Sequence, residues 1–279
     1  MLDFHDKAAF VTGGASGIGL GLGRALAEAG ARVMLADIEE KPLNEAVESL
    51  QAGNLPEVRG IICDVSDYQA VERAAQATID AFGKVHVLCN NAGVSGSVGA
   101  ENIHLQIWRW VIDVNLMGVA HGLRAFLPHL KSHGEGGHIV NTASMAGFLT
   151  GSGFGPYTAT KFAVVGISEA LHTELAPQGI GVSVLCPGFV KTRIMESRRN
   201  WPKEYGVPPA PRTGPLAERF AELVRTGMEP SAVAALVLDA IRDNELYVFT
   251  HPDLRPPLEA RVERFLVAYR KLGPAPQEK

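Results

Sequence analysis

From Ala8 to Phe249 the chain alternates short, continuous apolar runs with longer segments of helical period. The runs are AAFVTGG, RVMLADI, VRGIICDV, VHVLCNNAG, GHIVNTAS, GVSVLCPG and LYVFTH. They are rich in Val, Ile and Leu and lack the every-other-residue polarity of a strand with one wet face. Such strands are buried on both faces, as in a parallel sheet covered by helices on each side. The segments between them supply the helices. GLGLGRALAEAGA, EKPLNEAVESLQA with Pro42 in its first turn, and SDYQAVERAAQATIDAFG with Ser66 as cap follow the first three runs. A long helix over 106–131, a helix carrying Tyr157 and Lys161, and SAVAALVLDAIRD follow later. Seven strands in one unbroken alternation predict a doubly wound α/β fold with helices on both faces of the sheet. No repeat and no composition break divides it, so one domain is expected over 1–279.

One segment resists this scheme. Residues 191–228 contain the proline-rich RRNWPKEYGVPPAPRTGP and a short helical piece, LAERFAELVRTG. A connection this long is expected to be a lid over a substrate. The formal net charge of -4 gives no reason to expect nucleic acid or an anionic membrane. No apolar run approaches the roughly 20 residues that span a bilayer, and MLDFHDKAAFVTGG is not a signal peptide, so a cytoplasmic protein is expected. Cys63, Cys89 and Cys186 are far apart and sit in apolar runs, which predicts buried thiols rather than disulfides or a zinc site. His129, His133 and His138 fall in LPHLKSHGEGGH, a helix end where histidine complements the dipole, and no metal is expected there. RFAELVR and RPPLEARVERFLVAYR have amphipathic period and are expected to be core or subunit-contact helices.

VTGGASGIG joins the first strand to the first helix. Gly13, Gly17 and Gly19 are spaced GxxxGxG. A tight turn with positive φ brings backbone N–H groups and a helix N-terminus close to a pyrophosphate, which suits a dinucleotide. Gly21 and Gly23 are then packing positions inside the helix. Asp37 ends the second strand, 18 residues past Gly19, near the place of a carboxylate that binds the adenosine ribose. A carboxylate there repels a 2′-phosphate and favours NAD over NADP. Ser16 agrees, since no basic residue stands in the turn. The alternative is that Asp37 only caps the next helix. Asp64 closes the third strand, suitably placed for the adenine amino group or as a simple turn residue.

TGGASGIG, CDV, NNAG, DVNLMG with Asn115, VNTAS with Ser144, YTATK and CPG together resemble the short-chain dehydrogenase/reductase family. The likeness runs in order over about residues 5–195. It implies a Rossmann-type sheet, NAD as cofactor and oxidoreduction at a CH–OH group. Tyr157 and Lys161, four apart, share one helix face. A free phenol has a pKa of about 10, and a neighbouring ammonium favours the phenolate. The resemblance gives Tyr157 the proton transfer with the substrate oxygen and Lys161 the nicotinamide ribose. Ser144 then hydrogen-bonds the substrate oxygen, and Asn115 fixes a water linking Lys161 to solvent. The cofactor positions it implies begin with Gly13, Ser16, Gly17, Ile18 and Gly19 in the turn. Asp37, Ile38, Asp64, Val65 and Val114 lie toward adenosine, and Asn91, Ala92 and Gly93 beside its ribose. Pro187, Gly188, Val190 and Thr192 lie against the nicotinamide, with Tyr157 and Lys161.

Met145, Phe148 and Phe154 stand near Ser144 and Tyr157 in sequence, and the lid adds Trp201 and Tyr205. With Gly188 they predict a large, apolar and aromatic pocket for a small-molecule alcohol or ketone. The core phrases also resemble the branch that oxidises benzylic alcohols of aryl ethers. A hydroxysteroid or another cyclic alcohol is the competing substrate. A non-catalytic binding protein on the same fold is the competing class, and intact Ser144, Tyr157 and Lys161 argue against it. Trp108, Trp110, Phe162 and Leu171 on the 106–131 and 157–176 helices predict a homodimer or homotetramer.

Overall fold

The strands are β1 (Ala8–Thr12), β2 (Arg32–Asp37), β3 (Val58–Ile62), β4 (Val87–Asn90), β5 (Gly137–Thr142), β6 (Ile180–Cys186) and β7 (Tyr247–Phe249). In the computed structural model, which describes residues 3–53, 55–96, 103–210 and 213–272, they form one sheet ordered β3-β2-β1-β4-β5-β6-β7. Every neighbouring pair is parallel. The helices are α1 (Gly17–Glu28), α2 (Glu40–Gln51), α3 (Tyr68–Phe82), α4 (Leu105–Ile112), α5 (Gly118–Ser132), α6 (Gly155–Leu175), α7 (Pro215–Arg225), α8 (Pro230–Asp243) and α9 (Arg255–Arg270).

The inner strands are buried as expected, with all residues of β1, β4 and β5 buried, but β3 and β7, at the two edges of the sheet, are not: Arg59, Gly60, Ile62, Tyr247 and Phe249 are exposed. Leu22 and Leu26 of α1, Leu43 of α2 and Val237 of α8 share one core cluster with Val11 and Leu35. Val71 of α3, Phe126 of α5 and Leu175 of α6 share a core on the opposite face with Phe10 and Leu88. Phe10 and Phe126 meet at 4.3 Å between ring centroids. Full burial of side chains this large stabilises by about 1.5–3 kcal/mol each. Gly21 and Gly23 are packing positions, against Pro230 of α8 and Leu35 of β2. The three cysteines are free and buried, and burial pushes each thiol up to about 12.

The chain order reverses between β1 and β4, and the two turns leaving those strands open a crevice at their carboxyl ends. The glycine-rich turn and Asn91 therefore face one another.

Several local expectations are corrected. Ser66 does not cap α3. Asp67 does, accepting from the Gln69 N–H at 2.9 Å, while the Ser66 hydroxyl donates to Asp64. The 106–131 helix is not continuous, because a π turn at Asp113–Met117 separates α4 from α5. The core reading of RPPLEARVERFLVAYR fails, since α9 buries none of its residues. Phe265 is 52% exposed beneath Arg261, whose guanidinium lies 4.9 Å from the Phe162 ring as well. Trp110 turns inward and meets Trp201 at 5.2 Å.

The 191–228 segment is tied at its base. Val190 bridges Met228, and the Lys191 N–H donates to the Met228 carbonyl at 3.0 Å. Between these ends lie short helical turns at Ile194–Asn200 and Lys203–Tyr205, followed by α7; residues 211–212 fall outside the described residues. Among the described residues, no helix is long and apolar enough to cross a membrane.

Candidate active site

The glycine turn is shaped by contacts that exclude side chains. Gly13 has φ +65°, and a Cβ on Gly19 would lie 2.0 Å from the Gly13 carbonyl oxygen. Asp37 braces this turn. One carboxylate oxygen accepts from the Ala15 N–H at 3.0 Å, and the other from the Glu39 N–H at 3.0 Å. Asp37 edges the crevice and does not cap α2, whose N-cap is Glu39 with no side-chain cap. Asp64 uses one oxygen on Ser66, accepting from its N–H at 2.9 Å and its hydroxyl at 2.7 Å.

Thr12 fastens the two sides of the crevice and was missed by sequence reasoning. Its hydroxyl oxygen accepts from the N–H groups of Asn91 at 2.8 Å and Ala92 at 2.9 Å. The Asn91 amide donates to the Thr12 carbonyl at 2.9 Å and accepts from Thr142 at 3.2 Å. A threonine ending a strand carries no signal of this kind. His251 is a second omission: Gly188 donates to its Nδ1 at 3.3 Å and to Thr250 at 3.2 Å.

A cavity of about 520 Å³ runs along the crevice. Gly13, Ser16, Gly17 and Ile18 line it from the glycine turn, and Asp37, Ile38, Asp64, Val65 and Val114 from one end. Asn91, Ala92 and Gly93 form its floor, and Pro187, Gly188, Val190 and Thr192 the other end, with Ser144, Tyr157 and Lys161. Gly19 lies beneath the turn and does not reach the cavity.

Ser144 and Tyr157 face one another; burial pushes the phenol above its ordinary value, and the nearby Ser144 hydroxyl offsets this only in part. The net direction is upward, opposite to the effect expected from Lys161. Burial is the cause, and Lys161 does not offset it: its ammonium lies 5.6 Å from the Tyr157 ring centroid and donates to the Thr142 carbonyl at 2.8 Å. Burial pulls Lys161 down to about 8. Ser144 accepts from the Ala146 N–H at 3.1 Å and donates to the Pro187 carbonyl at 3.4 Å.

Asn115 sits in the π turn and is 1% exposed, away from the cavity. Its amide oxygen accepts from the Val94 N–H at 2.8 Å and its NH₂ donates to the Val94 carbonyl at 2.9 Å. A Cβ on Gly93 would lie 3.4 Å from Asn115 and 3.7 Å from the Lys161 ammonium, so Asn115 packs the turn that covers Lys161.

The substrate residues divide. Phe154 and Trp201 line a second cavity of about 140 Å³ under the 191–228 segment, with Trp110 and Phe220. Phe220 meets Phe154 at 4.9 Å and Phe189 at 5.7 Å. The sequence placed α7 but gave no sign of which aromatic it would turn inward. Trp110, Ser197 and Trp201 border both cavities. Three expected substrate residues are placed elsewhere. Phe148 packs at the sheet edge, 5.5 Å from Phe249 and 6.1 Å from Tyr247. Met145 is buried in a cluster with Val164 and Val184. Tyr205 lies behind Trp201 at 5.7 Å, its hydroxyl donating to Asp113 at 3.4 Å. Neighbours in sequence point to opposite sides of their turns, and that parity is fixed only by packing.

His133 does not assemble with His129 or His138. It joins His86 and Glu135 at the amino ends of the strands. His138 is buried and bonds Ser183 at 2.8 Å.

Comparison with known proteins places this geometry. The family described as short chain dehydrogenase matches residues 7–203. C alpha-dehydrogenase of Sphingobium sp. is 34% identical over 267 residues, covering 95% of this chain and 87% of the relative. The 1-deoxy-11-beta-hydroxypentalenate dehydrogenase of Streptomyces exfoliatus is 35% identical, covering 91% and 86%. A short-chain dehydrogenase/reductase from Burkholderia phymatum, solved in complex with NAD, superposes with TM-score 0.91 at 37% identity over 100% of this chain and 99% of that one.

Proposed function

The chain belongs to the short-chain dehydrogenase/reductase family, and we propose that it moves a hydride between NAD and a bulky, apolar or aromatic secondary alcohol or its ketone. Its coarser activity is that of an oxidoreductase acting on alcohols, with NAD as cofactor. The residues suit that group: a cavity of about 520 Å³ running from the glycine turn to Tyr157, the Asp37 carboxylate on its wall, and a cradle at Gly17 that the side chain of Thr192 already approaches. Bound NAD supplies the hydride acceptor. The observation that carries the reading is the facing pair Ser144 and Tyr157 inside the same cavity as Asp37.

In this reading Tyr157 takes the proton from the carbinol oxygen, and Ser144 orients that oxygen by hydrogen bonding. Lys161 holds the nicotinamide ribose and places positive charge near the phenol. The protein alone raises the phenol, so the lowering needed for proton transfer near neutrality depends on the charge of a loaded site. Asn115 holds the Gly93–Val94 turn over Lys161. Gly13, Ser16, Gly17, Ile18, Asp37, Ile38, Asp64 and Val65 grip the adenosine and pyrophosphate side.

The 191–228 segment acts as the lid, its aromatic underside formed by Phe154, Trp201 and Phe220. Benzylic alcohols fit these walls, and the relative from Sphingobium is named for oxidation at a C alpha position. The protein works in the cytoplasm as a homodimer or homotetramer through α4, α5 and α6. A panel of bulky secondary alcohols with NAD, followed by NADH absorbance, tests the reading. Turnover of benzylic members is expected. Silence across the panel with both NAD and NADP refutes it.

A further inference from the structure

Three arginines stand in one short turn of the lid, and two of them are neutralised. Arg193 and Arg199 share Glu39, which also accepts from the Asn200 amide at 2.8 Å. Arg193 pairs with Glu196 as well. Arg198 differs. It lines the 140 Å³ cavity beside Trp110, Phe154, Trp201 and Phe220, and no other charged side chain among the described residues does so. One of its terminal nitrogens donates to the Ala210 carbonyl at 2.9 Å. Among the described residues it has no carboxylate partner. Burial pulls its pKa below the ordinary value, as for a cation without a counter-ion.

A half-buried guanidinium beside aromatic walls loses part of its hydration, and the Ala210 carbonyl satisfies only one of its N–H groups. Its remaining N–H groups form a planar fork that matches a carboxylate with two parallel bonds. We propose that Arg198 binds a carboxylate on the substrate, so that the substrate class is an aromatic or otherwise bulky secondary alcohol carrying a carboxylic acid, or the corresponding keto acid. The proposal rests on the hydride-transfer reading above. Trp110, Ser197 and Trp201 border both cavities, and in this proposal one molecule passes beside them to reach both Tyr157 and Arg198. Its aromatic body packs against the cavity wall formed by Phe154, Trp201 and Phe220, and its charge lies against the guanidinium.

Matched probes test this. The benzylic alcohol para-(α-hydroxyethyl)benzoate is compared with its methyl ester as substrate, with NAD. The ketones para-acetylbenzoate and its methyl ester are compared as ligands of the NADH-loaded protein by calorimetry. The acid is expected to exceed the ester in kcat/KM by about tenfold to a hundredfold, mostly through KM. Arg198→Gln, which removes the charge and keeps a polar side chain, is expected to erase that ratio, and Arg198→Lys to restore part of it. Equal kcat/KM for acid and ester, or a ratio that survives in Arg198→Gln, overturns the carboxylate assignment. The two readings fail separately. If para-acetylbenzoate binds through Arg198 but no alcohol is turned over, the carboxylate site stands and the hydride-transfer reading falls. If the ester is oxidised as well as the acid, the reverse holds. Absence of binding by either ketone overturns the Arg198 assignment.

Discussion

The two ends of the sheet carry similar chemical groups in opposite conditions. At the amino ends, Lys7, Lys84, His86, His133 and Glu135 form a closed cluster. His86 Nδ1 accepts from the Ala8 N–H at 3.1 Å, and its Nε2 faces Glu135 at 3.0 Å. His133 Nδ1 accepts from the Glu135 N–H at 3.2 Å, and its Nε2 donates to the Val85 carbonyl at 2.8 Å. Lys7 and Lys84 both donate to Glu135. Each ring nitrogen is already committed, so a metal here would have to displace backbone hydrogen bonds. At the carboxyl ends, the Tyr157 and Ser144 hydroxyls border open space. The amino-end cluster is closed by its own hydrogen bonds, whereas Tyr157 and Ser144 line a cavity that a substrate oxygen can enter.

The largest test of that contrast is Tyr157→Phe. The ring and its packing stay, and the proton acceptor goes. A loss of kcat of about a hundredfold to ten-thousandfold is expected, with NAD binding and Tm retained. Retention of a tenth of the kcat would place the proton elsewhere.

Next comes acid stability at the amino side. His138 is buried with its Nε2 on Ser183, whose own hydroxyl donates to the Glu245 carbonyl at 2.6 Å. Burial drives its pKa down to about 3, below the unfolded value of 6.5. Below pH 6.5 the unfolded chain therefore takes up a proton that the fold refuses, and stability falls with falling pH. Between pH 7 and pH 5 the loss from this group is about 2 kcal/mol. Urea titrations of the parent and His138→Gln at the two pH values measure it. Equal losses in both proteins would assign the acid limb to other groups.

What was legible in the sequence follows the range of the interaction. The glycine turn, Asp37 and the Tyr157–Lys161 pair depend on local spacing, and local spacing is written in order along the chain. The seven strands needed only continuous apolar runs, although the edge strands β3 and β7 are largely exposed. Thr12, His251 and Phe220 act across 79, 63 and 66 residues, on Asn91, Gly188 and Phe154 respectively, and no local pattern distinguishes them from ordinary packing. The π turn at Asn115 adds one residue to a helical turn without altering the apolar stripe. Phe148 was misassigned because nearness to Ser144 in sequence says nothing about which side of a turn it leaves from.

Asp37 offers a smaller effect at the carboxyl end. Asp37→Ala is expected to narrow the preference for NAD over NADP about tenfold, because a like-charge clash with a 2′-phosphate is removed. Tm is expected to fall too, since the N–H groups of Ala15 and Glu39 lose their acceptor. Ratios of kcat/KM for the two cofactors decide it. An unchanged ratio with a lowered Tm would leave Asp37 as a brace of the turn alone.

The smallest effect probes the closed cluster from its solvent side. Hydrogen bonds from Lys84, His86 and Lys7 hold the Glu135 carboxyl down to about 2. A depressed carboxylate stabilises the fold above its unfolded value of 4.5, and that contribution fades as pH falls toward 2. Glu135 is exposed, so solvent and salt screen much of it. Glu135→Gln is therefore expected to lower Tm at pH 7 by roughly 2–4 °C at low ionic strength and by less in molar salt. Near pH 3 the gap between the two proteins narrows. Glu135 lies at the far end of the sheet from Tyr157, so kcat is expected to stay at the parent value. A fall in kcat that tracks the Tm change would mean that the two ends are mechanically coupled through β4 and β5. A Tm difference insensitive to both salt and pH would mean that packing, rather than charge, holds the cluster closed.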